Sequence, residues 1–219
     1  EQSGGIYGLV NNAVIIVRGF FEDLSQAEMR QVLETNLLGT MAVTRAVLPH
    51  MRAAGRGRIV IISSGGGRIA APGASAYCVS KFALEGFGET LAQEVALLGL
   101  QVVLIEPGLI RTELFGSNRH IAARALDPSS PYYRLFSQLE RQTDEEVQAS
   151  PATAGDVAQA VHRALTARRP KLRYVVRLRS KVLIALWRYL PGELFQRLWF
   201  REMTRRMTRS EEILEEEPQ

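Results

Sequence analysis

Three short apolar runs, each closing on amides, serines or a proline-glycine turn, are what most constrain the fold of this chain. Ile6-Tyr-Gly-Leu-Val-Asn11-Asn12-Ala13, Arg58-Ile-Val-Ile-Ile-Ser63-Ser64 and Val102-Val-Leu-Ile-Glu-Pro107-Gly108 show little polar alternation, so each reads as a strand buried on both faces. Between the second and third, Val79, Phe82, Ala83, Leu84, Phe87, Leu91, Val95 and Leu98 recur mostly at three- and four-residue steps, predicting an amphipathic helix over 74–98. Ser25-Gln-Ala-Glu28 is a capping box. It opens a helical region running to about Ala53, with a break expected near Asn36 and Gly39. A further helical pattern covers Asp156 to Ala167. Strands alternating with helices predict a parallel sheet covered on both faces, an α/β fold of the doubly wound type.

Sheets of this kind build their sites at the carboxyl ends of the strands. Ser63 and Ser64 lie at such an end, and Gly65-Gly66-Gly67 follows them as a loop. On the next helix Tyr77 and Lys81 fall one turn apart on one face. Free Tyr and Lys titrate near ~10 and ~10.4, so an isolated phenol is a poor acid or base at neutrality. A cation held close favours phenolate and lowers that value. With Ser64 donating to a substrate oxygen, Tyr77 could then exchange a proton with that oxygen. A Tyr-x-x-x-Lys pair alone is usually a surface pair, so its company decides the matter.

That company has a recognisable order. Asn11-Asn12-Ala13, then Asn36 inside a helix, then Ser64 thirteen residues before Tyr77-Cys-Val-Ser-Lys81, then Pro107-Gly108 followed by Thr112, resembles the motif series of the short-chain dehydrogenase/reductase family. The resemblance implies a Rossmann-type fold and NAD or NADP as cofactor. It further implies Tyr77 as general acid/base and Lys81 as the group that lowers the Tyr value and holds the nicotinamide ribose. Ser64 would orient the substrate oxygen, and Asn36 would hold a water in the proton relay. Asn12 and Ala13 match the stretch lining the cofactor, and Pro107, Gly108, Ile110 and Thr112 match the loop around the nicotinamide. Ser63, Cys78 and Ser80 match no required role.

The chain departs from the family pattern in two places. Val14 stands where the family has a glycine, and a β-branched residue is costly wherever φ must be positive or another group must approach closely. The family also begins with a strand, a glycine-rich turn and a helix that cradle the pyrophosphate, and this sequence opens one strand later, with Glu1. Gly4-Gly5 precedes a strand, the wrong order for a phosphate cradle, and no helical pattern starts directly after Gly65-Gly66-Gly67. The expectation is an N-terminally incomplete domain over 1–167, lacking its first βαβ units. Its strand at Ile6 to Asn12 would be an exposed edge.

Residues 113–150 match the family's substrate lid and carry Leu114, Phe115, Tyr132, Tyr133, Leu135, Phe136 and Leu139. They suit either a pocket for an apolar alcohol or ketone or ordinary core packing. Residues 168–219 form a basic tail, with thirteen Lys or Arg between Arg168 and Arg209 against Glu193 and Glu202. Its acidic end, Glu211 to Glu217, offsets part of that charge. Phe195, Trp199, Met203 and Met207 repeat every four residues beside Arg197, Arg201, Arg205 and Arg206. Such a helix can rest on an anionic membrane or cover the rim of its own domain or of a partner subunit in a homo-oligomer. The tail resembles that of the hydroxysteroid and retinol dehydrogenase-like branch.

Composition narrows the alternatives. At 219 residues and 46% hydrophobic, the chain is long enough for one ordinary core. One cysteine, Cys78, excludes an intramolecular disulfide, and His50, His120 and His162 lack ligand spacing, so no metal site is expected. The longest apolar run of the tail, Val182 to Trp187, is far short of the ~20 residues a spanning helix needs. A net charge of +4 without a reading motif does not suggest nucleic acid. The expected location is cytoplasmic, with peripheral membrane contact through the tail as an option. Two functions follow: an NAD(P)-dependent oxidoreductase interconverting hydroxyl and carbonyl on an apolar steroid-, retinoid- or lipid-like molecule, or a catalytically silent chain acting through protein or membrane contacts.

Overall fold

The computed structural model describes residues 5–208; the acidic end, Glu211 to Glu217, lies outside them. Four strands, β1 (Gly8–Asn11), β3 (Gly57–Ile62), β4 (Leu100–Pro107) and β6 (Arg173–Val176), form one parallel sheet in the order β1-β3-β4-β6. A second ribbon pairs β2 (Val17–Arg18) with β5 (His120–Ile121). β3 and β4 are the buried centre, paired from Gly57 with Leu100 to Ile62 with Ile105. Their side chains alternate between two cores. Ile59, Ile61, Val102 and Leu104 face α2 (Gly39–Ala53) and α3 (Ser75–Val95), while Val60, Val103 and Ile105 face α5 (Ala154–Thr166). This is why the two runs read as unbroken apolar stretches.

β1 is the edge strand, as its sequence predicts, with Ile6, Tyr7 and Val10 all well exposed. Arg58, at the start of β3, reaches across the sheet end to the close of α5. Its guanidinium donates to the Ala164 carbonyl at 2.6 Å and to the Ala167 carbonyl, satisfying acceptors the helix leaves open.

The capping box at Ser25 is present, with Ser25 N–H on Glu28 at 2.7 Å and Glu28 N–H on Ser25 Oγ at 3.2 Å. It opens α1 (Gln26–Leu33). The expected break near Asn36 is instead a π turn over Glu34–Leu38 that runs directly into α2. One extra residue is absorbed without ending the helix, a device frequent at functional sites.

The segment 113–150 divides between its two expected uses. Leu114, Phe115 and Leu139 line a cavity, whereas Phe136 is wholly buried and Tyr132 stacks on Phe20, their ring centroids 5.3 Å apart. α4 (Tyr133–Gln148) carries this division on its faces. The tail folds into α6 (Leu178–Tyr189) and α7 (Gly192–Thr208). The Phe195, Trp199, Met203 and Met207 stripe turns inward, while Leu194, Leu198 and Phe200 stay exposed. Arg206 ties α7 to α4 through Glu146 and to its own helix through Glu202. No described helix is long and apolar enough to cross a membrane.

Candidate active site

A cavity of about 940 Å³ opens at the carboxyl ends of β1, β3 and β4. Each strand delivers a loop to it. Asn12 and Val14 come from the loop after β1, Ser64, Gly65 and Gly66 from the loop after β3, and Pro107, Gly108, Ile110 and Thr112 from the loop after β4. Tyr77 and Lys81 enter from the first two turns of α3. Eight of the ten residues singled out from the sequence therefore share one cavity wall. The other two lie elsewhere: Ala13 is exposed and outside the wall, and Asn36 is wholly buried behind it.

Asn36 is held by its whole carboxamide. Oδ1 accepts the Ile15 N–H at 2.8 Å, and Nδ2 donates to the Ile15 carbonyl at 2.9 Å and to Ser80 Oγ at 3.1 Å. Ser80 in turn donates to the Tyr77 carbonyl at 2.7 Å. The amide therefore staples the loop after β1 to the first turn of α3, which carries Tyr77. Its main-chain carbonyl accepts from Thr40 Oγ1 at 2.9 Å. Ser80, which the motif leaves without a role, is the link in this chain. Val14 adopts no positive φ; among the described non-glycine residues only Arg177 does. The side chain in place of the family's glycine is thus unstrained, and it narrows the cavity wall.

The electrostatics differ from the simple expectation. Burial pushes the Tyr77 phenol up to about 12, a hydrogen bond with Ser64 opposes the rise, and the Cys78 charge adds to it. Burial also lowers Lys81 to about 8, with Glu85 opposing. The ammonium donates to the Ile62 carbonyl at 2.7 Å and lies 5.6 Å from the Tyr77 ring centroid. It therefore faces the ring and the strand end. An ammonium has three donors, so two remain for other partners. Ser64 Oγ accepts from the Gly66 N–H at 3.0 Å, and its hydroxyl hydrogen is directed at the Tyr77 phenol oxygen.

These groups suit the nicotinamide-ribose end of a dinucleotide: spare ammonium donors, a phenol with a serine hydroxyl beside it and a backbone loop at Pro107 and Gly108. The described residues include no glycine-rich strand-turn-helix that would cradle a pyrophosphate, and the outer edge of β1 has no strand beside it. The rest of the cavity is mainly apolar, with Ile16, Ile69, Leu114, Phe115, Leu139, Leu183, Ile184, Trp199 and Met203 around it. α7 closes one side, where Trp199 Nε1 donates to the Ala70 carbonyl at 3.1 Å. Ala70 belongs to the loop joining Ser64 to α3, so the tail is tied to the loop that carries Ser64. Among the described residues no cluster could hold a metal ion.

Known proteins resemble the chain over most of its length. The family model for short chain dehydrogenases matches residues 1–122. Retinol dehydrogenase 7 of Mus musculus is 34% identical over 201 residues, covering 85% of this chain and 61% of the relative. The mitochondrial D-beta-hydroxybutyrate dehydrogenase of Bos taurus is 39% identical over 189 residues, covering 80% and 54%. The chain thus spans about three fifths or less of the length of these two curated relatives. The crystal structure of a short-chain dehydrogenase from Streptomyces avermitilis superposes with a TM-score of 0.72 at 31% identity, covering 95% of this chain and 73% of that one.

Proposed function

The chain belongs to the short-chain dehydrogenase family, whose hydride carrier is NAD or NADP, and from that premise we propose that its cavity interconverts a hydroxyl and a carbonyl on an apolar small molecule. The observation that carries this reading is the convergence of Ser64, Tyr77 and Lys81 on one cavity wall. In the reduction direction Ser64 turns its hydroxyl hydrogen from the phenol oxygen to the substrate carbonyl, fixing that oxygen beside Tyr77. A phenol at about 12 is protonated at neutral pH, so Tyr77 enters as the acid and gives its proton to that oxygen. NAD(P)H, when bound, supplies the hydride. Lys81 holds the ribose hydroxyls with its spare donors. A shift of its ammonium toward the phenol oxygen would lower the Tyr77 value for the reverse, base-catalysed direction. Asn12, Ala13, Pro107, Gly108, Ile110 and Thr112 are assigned to the cofactor side. The relay role of Asn36 falls to its main-chain carbonyl, since the carboxamide is committed to Ile15 and Ser80.

The apolar wall favours a steroid-, retinoid- or lipid-like substrate, in line with the retinol named for one relative, while the other is named for a small hydroxy acid. We read 113–150 together with α7 as the substrate cover. Leu186, Tyr189, Leu194, Leu198 and Phe200, exposed on α6 and α7 with Arg188, Arg197 and Arg201, support contact of 168–219 with an anionic membrane surface. Met41, Val79 and Phe82, exposed on α2 and α3, would suit a second copy of the chain.

Fluorescence titration with NADH, NADPH and reduced nicotinamide mononucleotide tests the cofactor assignment. If only the nicotinamide-ribose end is held, all three bind weakly and within a few-fold of one another, and excess substrate alcohol does not displace them. Absence of binding by all three would overturn the assignment and leave the catalytically silent function.

A further inference from the structure

One turn beyond Lys81 on α3, Glu85 turns inward toward Glu106, the residue before Pro107 at the end of β4. Both are buried, at 6% and 1% exposure, and one atom, Arg173 Nε, lies 2.9 Å from Glu85 Oε2 and 3.2 Å from Glu106 Oε1, so the two carboxyl groups are neighbours. Glu85 Oε1 and Glu106 Oε1 have no conventional hydrogen-bond donor among the described residues. Two ionised carboxylates in this position would repel, and one shared proton would both relieve the repulsion and supply a missing donor.

Charged groups from three elements surround the pair. α3 contributes Lys81 and Glu89; the loop after Ser64 contributes Arg68, 3.6 Å from both Glu85 and Glu106. β6 contributes Arg173, 2.9 Å from Glu85, 3.2 Å from Glu106 and 3.4 Å from Glu89. α6 contributes the Trp187 ring, 5.6 Å from the Arg68 guanidinium. Burial pushes Glu106 up to about 7, the Glu85 charge adds to the rise, and Arg68 and Arg173 oppose it. Glu85 is also the charge that steadies the Lys81 ammonium against its burial.

We propose that Glu85 and Glu106 share one proton and act as a positioning pair for Lys81, so that release of this proton to solvent strengthens the hold on the ammonium. The inference rests on reading Tyr77 and Lys81 as the acid/base group only for its catalytic meaning. With the proton in place, Lys81 faces one negative charge fewer. As pH rises and the proton leaves, the added charge keeps Lys81 protonated to higher pH and extends the alkaline limb of the working range. Arg68 and Pro107 border two of the cavity loops, so the same proton bears on the loops that carry Ser64 and Gly108.

The chain contains three lysines, Lys81, Lys171 and Lys181, which makes the test direct. With ε-¹³C-lysine and Lys171→Arg/Lys181→Arg as background, one NMR signal reports Lys81 across pH. The expected curve has two steps, a smaller one from the pair and a larger one from Lys81 itself. Glu106→Gln should remove the smaller step and lower the Lys81 proton affinity several-fold, Glu85→Gln should lower it further, and Glu89→Gln should change neither. A single step with an unchanged midpoint in Glu106→Gln overturns the proposal, as does a midpoint that responds to Glu85→Gln alone. The readout is proton affinity and not turnover, so a shifted Lys81 in an enzyme indifferent to Tyr77 would contradict the function proposed above while upholding the pair.

Discussion

Asn36 shows how far a single residue can be read from sequence. Its place between the Asn-Asn-Ala stretch and Ser64 marked it as part of the site, yet its work here is done by three side-chain hydrogen bonds to Ile15 and Ser80. Removing the carboxamide leaves the half-buried N–H and C=O of Ile15 without these partners, at ~1–3 kcal/mol for each group. Asn36→Ala should therefore destabilise the fold by roughly 2–4 kcal/mol in urea melts; a loss below about 0.5 kcal/mol would contradict the staple. Tyr77, Lys81 and Ser64 were legible because helix spacing and a strand end place them without knowledge of distant contacts. Ser80 and Glu85 were not, because their partners Asn36 and Glu106 come from other elements. The lowered Tyr77 value expected from a neighbouring cation was likewise a matter of reach: the ammonium is drawn to the Ile62 carbonyl and the ring face, and burial pushes the phenol up to about 12.

At the scale of elements, β3, β4, α3 and α5 follow their apolar periodicity closely, since each has a face whose burial the fold requires. The π turn at Glu34–Leu38 was read as a break, because a one-residue insertion shifts the helical phase and a phase shift looks like an end. The 113–150 segment could not be divided by pattern alone, as Phe136 in the core and Phe115 at the cavity are both aromatic residues in polar surroundings. The tail was legible as amphipathic, and its inward face proves to be the Phe195 to Met207 stripe. The apolar side chains left outside on α6 and α7 carry the membrane prediction. In liposome flotation with anionic lipid, the chain should float and should lose flotation when α6 and α7, from residue 178 onward, are removed and β6 is kept. Equal flotation by both forms would eliminate docking through the tail.

For the whole molecule, the sheet order β1-β3-β4-β6 puts the proton-handling groups at its centre and leaves β1 as an open edge. Under the function proposed here that geometry would hold one end of a dinucleotide, and the matched relatives extend beyond the span this chain covers. The central claim is that Tyr77 transfers the proton in a reaction whose hydride comes from NAD(P)H. It is tested most directly by following nicotinamide oxidation with an apolar aldehyde at millimolar NADH or NADPH, in the wild-type chain and in Tyr77→Phe. The account predicts a loss of turnover of roughly a hundredfold or more in Tyr77→Phe, with the thermal midpoint within a few degrees of wild type. Equal turnover by the two proteins would contradict it.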